Sequence, residues 1–395
     1  MKKEVVIVST ARTGLTKSLR GGLNATHGIP MSAHCIDATC KKVNLPLEGI
    51  DDVILGCGLP EGATGHNIAR NAAIAAGCPT TTTGATVNRY CASGLQAIAF
   101  AAQRIMYDGI DIAIGGGVES LSLVQMKLNQ NHFIYPPLAQ KMPGLWMTMI
   151  ETADIVAQRY QITREAQDEY ALLSQQRTAK AQAKGIFKDE IAPFTTNMMV
   201  KNPDTEAMES QAITIDRDMC NRPDTTLEGL QALKPVRGPD QFITAGNASQ
   251  MSDGASACLL MSATRAEQLN MKPLGYFRGL SIAGCQPDEM GIGPIYAVPK
   301  LLAQHQLKIE DIDLWELNEA FASQLLYCQS QLGIDTHCLN VNGGSISIGH
   351  PYGMTGSRLV GHILLEGQRR HAKYVVVTMC IGGGMGAAAL FEVIH

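Results

Sequence analysis

Three residues stand where nucleophilic and acid–base chemistry would need them: Cys91, His350 and Cys380. Cys91 follows Val87-Asn88-Arg89-Tyr90 and precedes Ala92-Ser93-Gly94. A thiol at a helix N-terminus gains from the macrodipole and free N–H groups, which predicts a lowered pKa and an accessible thiolate. The small neighbours leave room for a substrate carbonyl, and backbone amides there can serve as oxyanion donors. The plainer alternative is a buried structural cysteine opening a helix. His350 is pinned in Gly349-His350-Pro351-Tyr352-Gly353, a rigid turn ahead of a helix predicted from about Thr355. Cys380 ends the apolar run Val375–Met379 and precedes Gly382-Gly383-Gly384, where a ligand can approach the backbone closely. Asn318, in Trp315-Glu-Leu-Asn318-Glu-Ala-Phe, is either a helix cap or a polar group holding a water or carbonyl. Ser249, in Thr244-Ala-Gly-Asn-Ala-Ser249, sits in a small-residue turn that either wraps an extended ligand or is only a turn.

The elements that must position these residues follow one plan used twice. Val87-Asn88 leads to Cys91, a helical stretch, the apolar Asp111–Ile114 and Gly115-Gly-Gly117; Val341-Asn342 leads to His350, a helical stretch, Tyr374–Val377 and Gly382-Gly-Gly384. Two related halves, each delivering a reactive group to a turn, predict one shared active site and hence an enzyme. Short buried strands are predicted at Val5–Ser9, Asp52–Gly56, Ala85–Asn88 and Asp111–Gly115. Helices are predicted near Ser32–Val43, His66–Ala76 and Cys91–Asp108, the last with apolar residues at i, i+3, i+4 spacing. The alternation implies a largely parallel sheet covered on both faces. After Ser120 the texture turns polar and irregular, with a long helix over Thr163–Lys184 and a strand-poor stretch to about Gln241. From Ser256 the α/β texture resumes, with Ala257–Met261, Leu274–Ile282, a helix near Val298–His305 and Ile312–Leu317.

With 395 residues, 45% of them hydrophobic and 17% charged, the chain can bury a large core in two or three folding units. A net charge of -4 gives no electrostatic reason to expect nucleic acid or an anionic membrane. Apolar runs such as Val5–Val8 are too short to span a bilayer, and neither a secretory h-region nor a peroxisomal C-terminal address is seen. The eleven cysteines are odd in number with no Cys-x-x-Cys spacing, which argues against a disulfide framework or metal site and for a reducing cytoplasm. The glycine run lacks the Lys-Ser/Thr of a phosphate loop.

Taken together, Val87-Asn-Arg-x-Cys-Ala-Ser-Gly94, Gly116-Gly-Val-Glu-Ser120, Asn318-Glu-Ala-Phe321, Gly349-His-Pro-x-Gly353 and Cys380-Ile-Gly-Gly-Gly-Met-Gly386 resemble the signatures of the thiolase family, in order and over essentially the whole chain. The resemblance implies an α/β fold of two similar βαβαβαββ halves stacked as α-β-α-β-α layers. Residues 1–120, continued at 250–270, would form the first half, 121–249 an inserted CoA-binding loop domain, and 271–395 the second half. It implies Cys91 as the acyl-accepting nucleophile, His350 as its base, Cys380 as the acid/base at the substrate α-carbon, and Asn318 holding a water in one oxyanion hole. The backbone N–H groups of Cys91 and Gly382 would form the other. Ser249, Met149, Met290 and Arg222 match positions bordering CoA or the acyl group. No metal or redox cofactor is implied; CoA and acyl-CoA are substrates, and a homodimer or homotetramer is expected.

The chain departs from the family pattern in places. Ile150 replaces a glycine in Met149-Ile150-Glu151-Thr152-Ala153-Asp154 and is expected to reshape the acyl pocket. Arg237 stands where relatives place a phenylalanine against CoA, leaving it to meet a CoA phosphate, stack on adenine or face solvent. Gln125–Leu145 matches no familiar version. The implied activity is CoA-dependent cleavage of 3-oxoacyl-CoA and its reverse. Alternatives are a short-chain acetyl-CoA acetyltransferase and, more remotely, a decarboxylating ketoacyl synthase, a non-catalytic acyl-CoA carrier or a Cys-His-Asn hydrolase.

Overall fold

The computed structural model describes residues 3–395. In chain order its main elements are β1 (Val5–Arg12), α1 (Gly28–Lys41), β2 (Asp52–Gly56), α2 (Ile68–Ala76), β3 (Thr83–Val87), α3 (Ser93–Tyr107), β4 (Ile112–Glu119), α4 (Met149–Arg159), α5 (Arg164–Ala183), β5 (Phe194–Lys201), β6 (Met208–Ile215), β7 (Ser252–Ser262), β8 (Gly275–Gly284), α6 (Pro294–His305), β9 (Leu314–Leu317), α7 (Ala322–Leu332), α8 (Tyr352–Arg370), β10 (Tyr374–Ile381) and β11 (Met385–Val393).

The repeated plan becomes a repeated topology. The first half runs β1-β7-β4-β2-β3, antiparallel for two pairings and then parallel for two. The second half runs β8-β11-β10-β9 in the same senses, and a parallel bridge from Trp315 to Leu339 stands where a fifth strand would be. Among the described residues, strand pairing across the junction of the halves is limited to Val6–Tyr276 and Ile7–Gly275. Helices α1 and α2 cover one outer face, α6 and α7 the other, and α3 and α8 lie in the middle, burying residues of both sheets in one core. The result is the expected α-β-α-β-α stack. Central burial also explains why α3 is enclosed on nearly all sides rather than along one stripe.

Glycine permits that middle layer. A Cβ on Gly117 would collide with the Gly353 carbonyl, and one on Gly56 with the backbone of Ser93; on Gly356 it would press on Leu95 at 2.5 Å. The halves therefore touch backbone to backbone where the reactive turns emerge.

Some elements differ from expectation. Cys91 does not open the helix: it sits in a short 3-10 turn over Tyr90–Ala92, and α3 begins at Ser93. Side chains set that turn, since Ser93 Oγ accepts from Arg89 N at 2.9 Å and donates to the Tyr90 carbonyl at 2.6 Å. Helix α8 begins at Tyr352, ahead of Thr355. The stretch read as strand-poor holds the β5–β6 hairpin, whose mostly exposed faces give it little hydrophobic alternation to read.

A buried charge cluster fixes the 121–249 segment to both halves. Arg12 on β1 pairs with Asp218 at 2.6 Å and with Glu190 at 2.7 Å, and Glu190 accepts from His362 Nδ1 on α8 at 2.8 Å. Stripping one partner from such a cluster leaves an uncompensated buried charge.

Gly117→Ala is expected to destabilise the fold by about 3 kcal/mol or more through overpacking. Gly49→Ala, whose Cβ would meet nothing closer than 3.8 Å, serves as the tolerated control. Thermal unfolding of the two variants checks this.

Candidate active site

Four turns converge on the site. The first carries Cys91, which is half-buried, in the 3-10 turn before α3. Backbone N–H groups of Gly382 and of Cys91 itself point at its sulfur. The second carries Cys380, fully buried near the end of β10 and close enough to Cys91 for their charges to interact. Gly382 lies open at the end of this strand: a Cβ there would meet only Met149 Sδ at 3.5 Å, Met149 Cε and the Tyr90 ring.

The third turn presents His350, buried at 3% exposure. Its Nδ1 lies 2.7 Å from Thr355 Oγ1, and that hydroxyl donates to the Pro351 carbonyl at 2.9 Å. With its one proton committed, Thr355 can only accept, so the ring carries its proton on Nδ1 and offers the Nε2 lone pair. The fourth turn supplies Asn318, whose Nδ2 lies 3.4 Å from that Nε2. Ser345 Oγ donates to Asn318 Oδ1 at 2.6 Å, which sets the amide so that its NH2 faces the histidine. Asn318 is not a helix cap; Phe321 occupies the N-cap position of α7, its N–H donating to Gln324 Oε1 at 3.1 Å.

Burial, not the helix terminus, dominates the electrostatics. Desolvation pushes the Cys91 thiol up to about 11, outweighing the lowering by the Gly382 and Cys91 N–H groups, and Glu119 raises it further. The expected thiolate is corrected to a neutral resting thiol. Desolvation also raises Cys380 well above the ordinary thiol range. His350 is lowered to about 3 by burial, with Arg358 contributing, so its ring is neutral at physiological pH. Tyr352 links the two groups, packing edge-on to the His350 ring at 5.3 Å and lying near enough to Cys91 to interact with it; a neutral thiol and a neutral base in one site suit proton transfer during attack.

Around Cys380 lies a buried apolar cluster. Met290, Ala153, Ile243, Ala320, Phe321 and Cys380 form one cluster, with Met149, Ile150, Phe242 and Ala248 packed against it. Ser249 donates its N–H to the Ala320 carbonyl at 3.0 Å, and the next residue, Gln250, accepts from His350 N at 2.8 Å; the small-residue turn therefore borders the histidine. Arg222 is exposed, anchored through its backbone N–H to Gln175 on α5 at 2.9 Å. Arg237 is held by two carboxylates of α4, Glu151 at 3.1 Å and Asp154 at 3.3 Å. Asp154 in turn accepts from the N–H groups of Phe242 and Ile243, so this set ties the cluster to α4.

Sequence reasoning missed Thr355 and Ser345, which orient His350 and Asn318. A hydroxyl five residues after a histidine, one turn into a helix, was the only available signal for the former. Among the described residues no helix is long and apolar enough to cross a membrane, and no three or more His, Cys, Asp or Glu side chains are grouped to hold a metal ion.

The chain matches the family models for the thiolase N-terminal domain over residues 5–264 and the thiolase C-terminal domain over residues 271–393. It belongs to the thiolase family. This thiolase is 46% identical over 392 residues to the 3-ketoacyl-CoA thiolase of Bacillus subtilis, covering 99% of each chain. It is 42% identical over 390 residues to the human peroxisomal 3-ketoacyl-CoA thiolase, covering 98% of this chain and 91% of that one. Its fold overlays human mitochondrial 3-ketoacyl-CoA thiolase with a TM-score of 0.87 at 35% identity, covering 100% of this chain and 99% of that one. The dimeric peroxisomal thiolase of Saccharomyces cerevisiae gives 0.88 at 36% identity, covering 99% and 98%.

Alkylation of Cys91 by iodoacetamide is expected to accelerate steadily as pH rises towards 11, with no inflection near 6.5. A His350 that titrated in its ordinary range would put one there, and a rate–pH profile with peptide mapping decides.

Proposed function

We propose that this thiolase cleaves 3-oxoacyl-CoA with CoA to acyl-CoA and acetyl-CoA, through an acyl-Cys91 intermediate. The observation that carries the reading is two neighbouring thiols, the N–H groups of Cys91 and Gly382 facing one of them, and an oriented neutral imidazole joined to them through Tyr352, with an apolar cluster around Cys380.

In the cleavage direction Cys91 Sγ attacks the 3-oxo carbon as its proton passes to His350 Nε2. The bond between C2 and C3 breaks, and the departing acetyl-CoA enolate takes the proton of Cys380. CoA then gives its thiol proton to the Cys380 thiolate and attacks the thioester; Cys91 leaves and recovers its proton from His350. The N–H groups that face Cys91 Sγ are placed to stabilise the negative oxygen of an enzyme-bound thioester. Asn318, through a held water, and His350 do the same for the substrate thioester in the condensation direction. Side chains serve every step, so CoA enters as a substrate and the proposal needs no separate cofactor.

CoA is placed along the Ser249 turn with Arg222 towards its nucleotide end. Arg237 acts structurally through Glu151 and Asp154. Ile150, on the first turn of α4, narrows the acyl pocket. The proposed assembly is a homodimer formed across the edge strand β3, supported by exposed Phe100 and Tyr107 on the neighbouring α3 and by the dimeric yeast relative. A reducing, cytoplasmic setting fits the eleven free cysteines.

Thiolysis assays over 3-oxoacyl-CoA substrates of increasing length test the proposal. Turnover is expected to extend beyond acetoacetyl-CoA, to fall about a thousandfold or more in Cys91→Ala, and to shift towards longer substrates in Ile150→Gly. Activity confined to acetoacetyl-CoA would replace this reading with that of an acetyl-CoA acetyltransferase. No CoA-dependent cleavage at all would sink it.

A further inference from the structure

Glu119 ends β4 in the middle of the molecule, with no solvent exposure and no cationic side chain paired to it. Its carboxylate is instead filled by backbone. Oε2 accepts from Gly58 N at 2.8 Å and from Gly353 N at 2.8 Å; Oε1 accepts from Leu59 N at 3.1 Å and from the Cys57 thiol at 3.5 Å. Gly58 and Leu59 belong to the loop after β2 in the first half, whereas Gly353 lies three residues after His350 in the second. A carboxylate buried this deeply costs free energy unless several donors converge on it, and here the donors come from both halves.

The connection continues to the nucleophile. The Gly58 carbonyl accepts from Asn88 Nδ2 at 3.1 Å, and Asn88 Oδ1 accepts from Tyr90 N at 2.7 Å. Tyr90 carries φ of 45°, a left-handed conformation that a bulky residue adopts only when its surroundings impose it. It immediately precedes Cys91. One unbroken series of hydrogen bonds thus runs from the histidine turn through Glu119, Gly58 and Asn88 to the strained residue that aims the thiol.

The geometry points to Glu119 as a positioning residue for the reaction: it sets the His350 turn and the Cys91 turn in one frame, with Asn88 as the link to the nucleophile. The inference rests on Cys91 and His350 being nucleophile and base. Glu119 touches no reacting atom and acts only through the two turns. Packing at this joint is tight: a Cβ on Gly58 would lie 2.9 Å from Glu119 Oε2 and 2.9 Å from Tyr352 Cβ, so Gly58 lets the carboxylate reach both turns.

The test compares Glu119→Gln, Asn88→Ala and the double variant with wild type, each corrected for its folded fraction. The glutamine keeps the shape but turns an N–H donor towards the backbone donors. Both single variants are expected to lose about ten- to a hundredfold in kcat, the range expected when reacting groups are misplaced by an ångström or less, with KM for the acyl-CoA nearly unchanged. The double variant should lose little more than the worse single one, because the two residues act in series. Asn88 is exposed, so its variant keeps the test alive should Glu119→Gln fail to fold. Folded variants that turn over within twofold of wild type, or losses that multiply in the double variant, would overturn the inference. A Cys91→Ala enzyme that stays active would instead overturn the assignment of the nucleophile, whatever Glu119 does.

Discussion

The structure depends on one close approach. Helices α3 and α8 cross between the sheets at a separation that only hydrogen in place of Cβ allows, with Gly94 against Gly353 and Gly356 against Leu95, while Gly117 of β4 lets the start of α8 approach from the sheet. Because each helix begins where its half delivers a reactive turn, the distance between helices is also the distance between the two chemistries. A side chain inserted at the crossing would press the turns apart as well as strain the core. Interiors are packed too tightly to absorb such an insertion locally.

The second organising choice is where charge is allowed. The thiols of Cys91 and Cys380 and the imidazole of His350 are neutral at rest, held so by desolvation. Formal charge is collected in a separate buried cluster: Arg12, Glu190 and Asp218, with His362 beside them. That cluster binds the 121–249 segment to the two halves, while Glu119 handles the joint between the halves themselves.

Much of this was legible from residue types and spacing. The repeated strand, reactive residue, helix and glycine run predicted the doubled topology and a site shared by the two halves, while the placing of Cys380 with Cys91 and of Asn318 with His350 was implied by the family resemblance. What could not be read was anything decided by burial. Cys91 looked like a thiolate because a helix terminus is visible in a sequence, whereas the desolvation that outweighs it is set by distant chain folding over the site. Arg237 looked free to meet a ligand because Glu151 and Asp154 lie more than eighty residues away. The β5–β6 hairpin escaped notice because neither face alternates in polarity. Asn88 and Asn342 occupy matching places in the two copies, yet one holds Tyr90 while the other contacts His362 at 3.2 Å; symmetry of pattern did not extend to symmetry of role.

The neutral resting state of Cys91 also bears on how long the enzyme survives. Peroxides attack thiolates, not thiols. With burial pushing its thiol up to about 11, only a small fraction of molecules carries the anion at neutral pH. An idle molecule thus offers oxidants almost nothing to react with, and the nucleophile becomes dangerous to its own integrity only in the moments when a substrate is there to consume it.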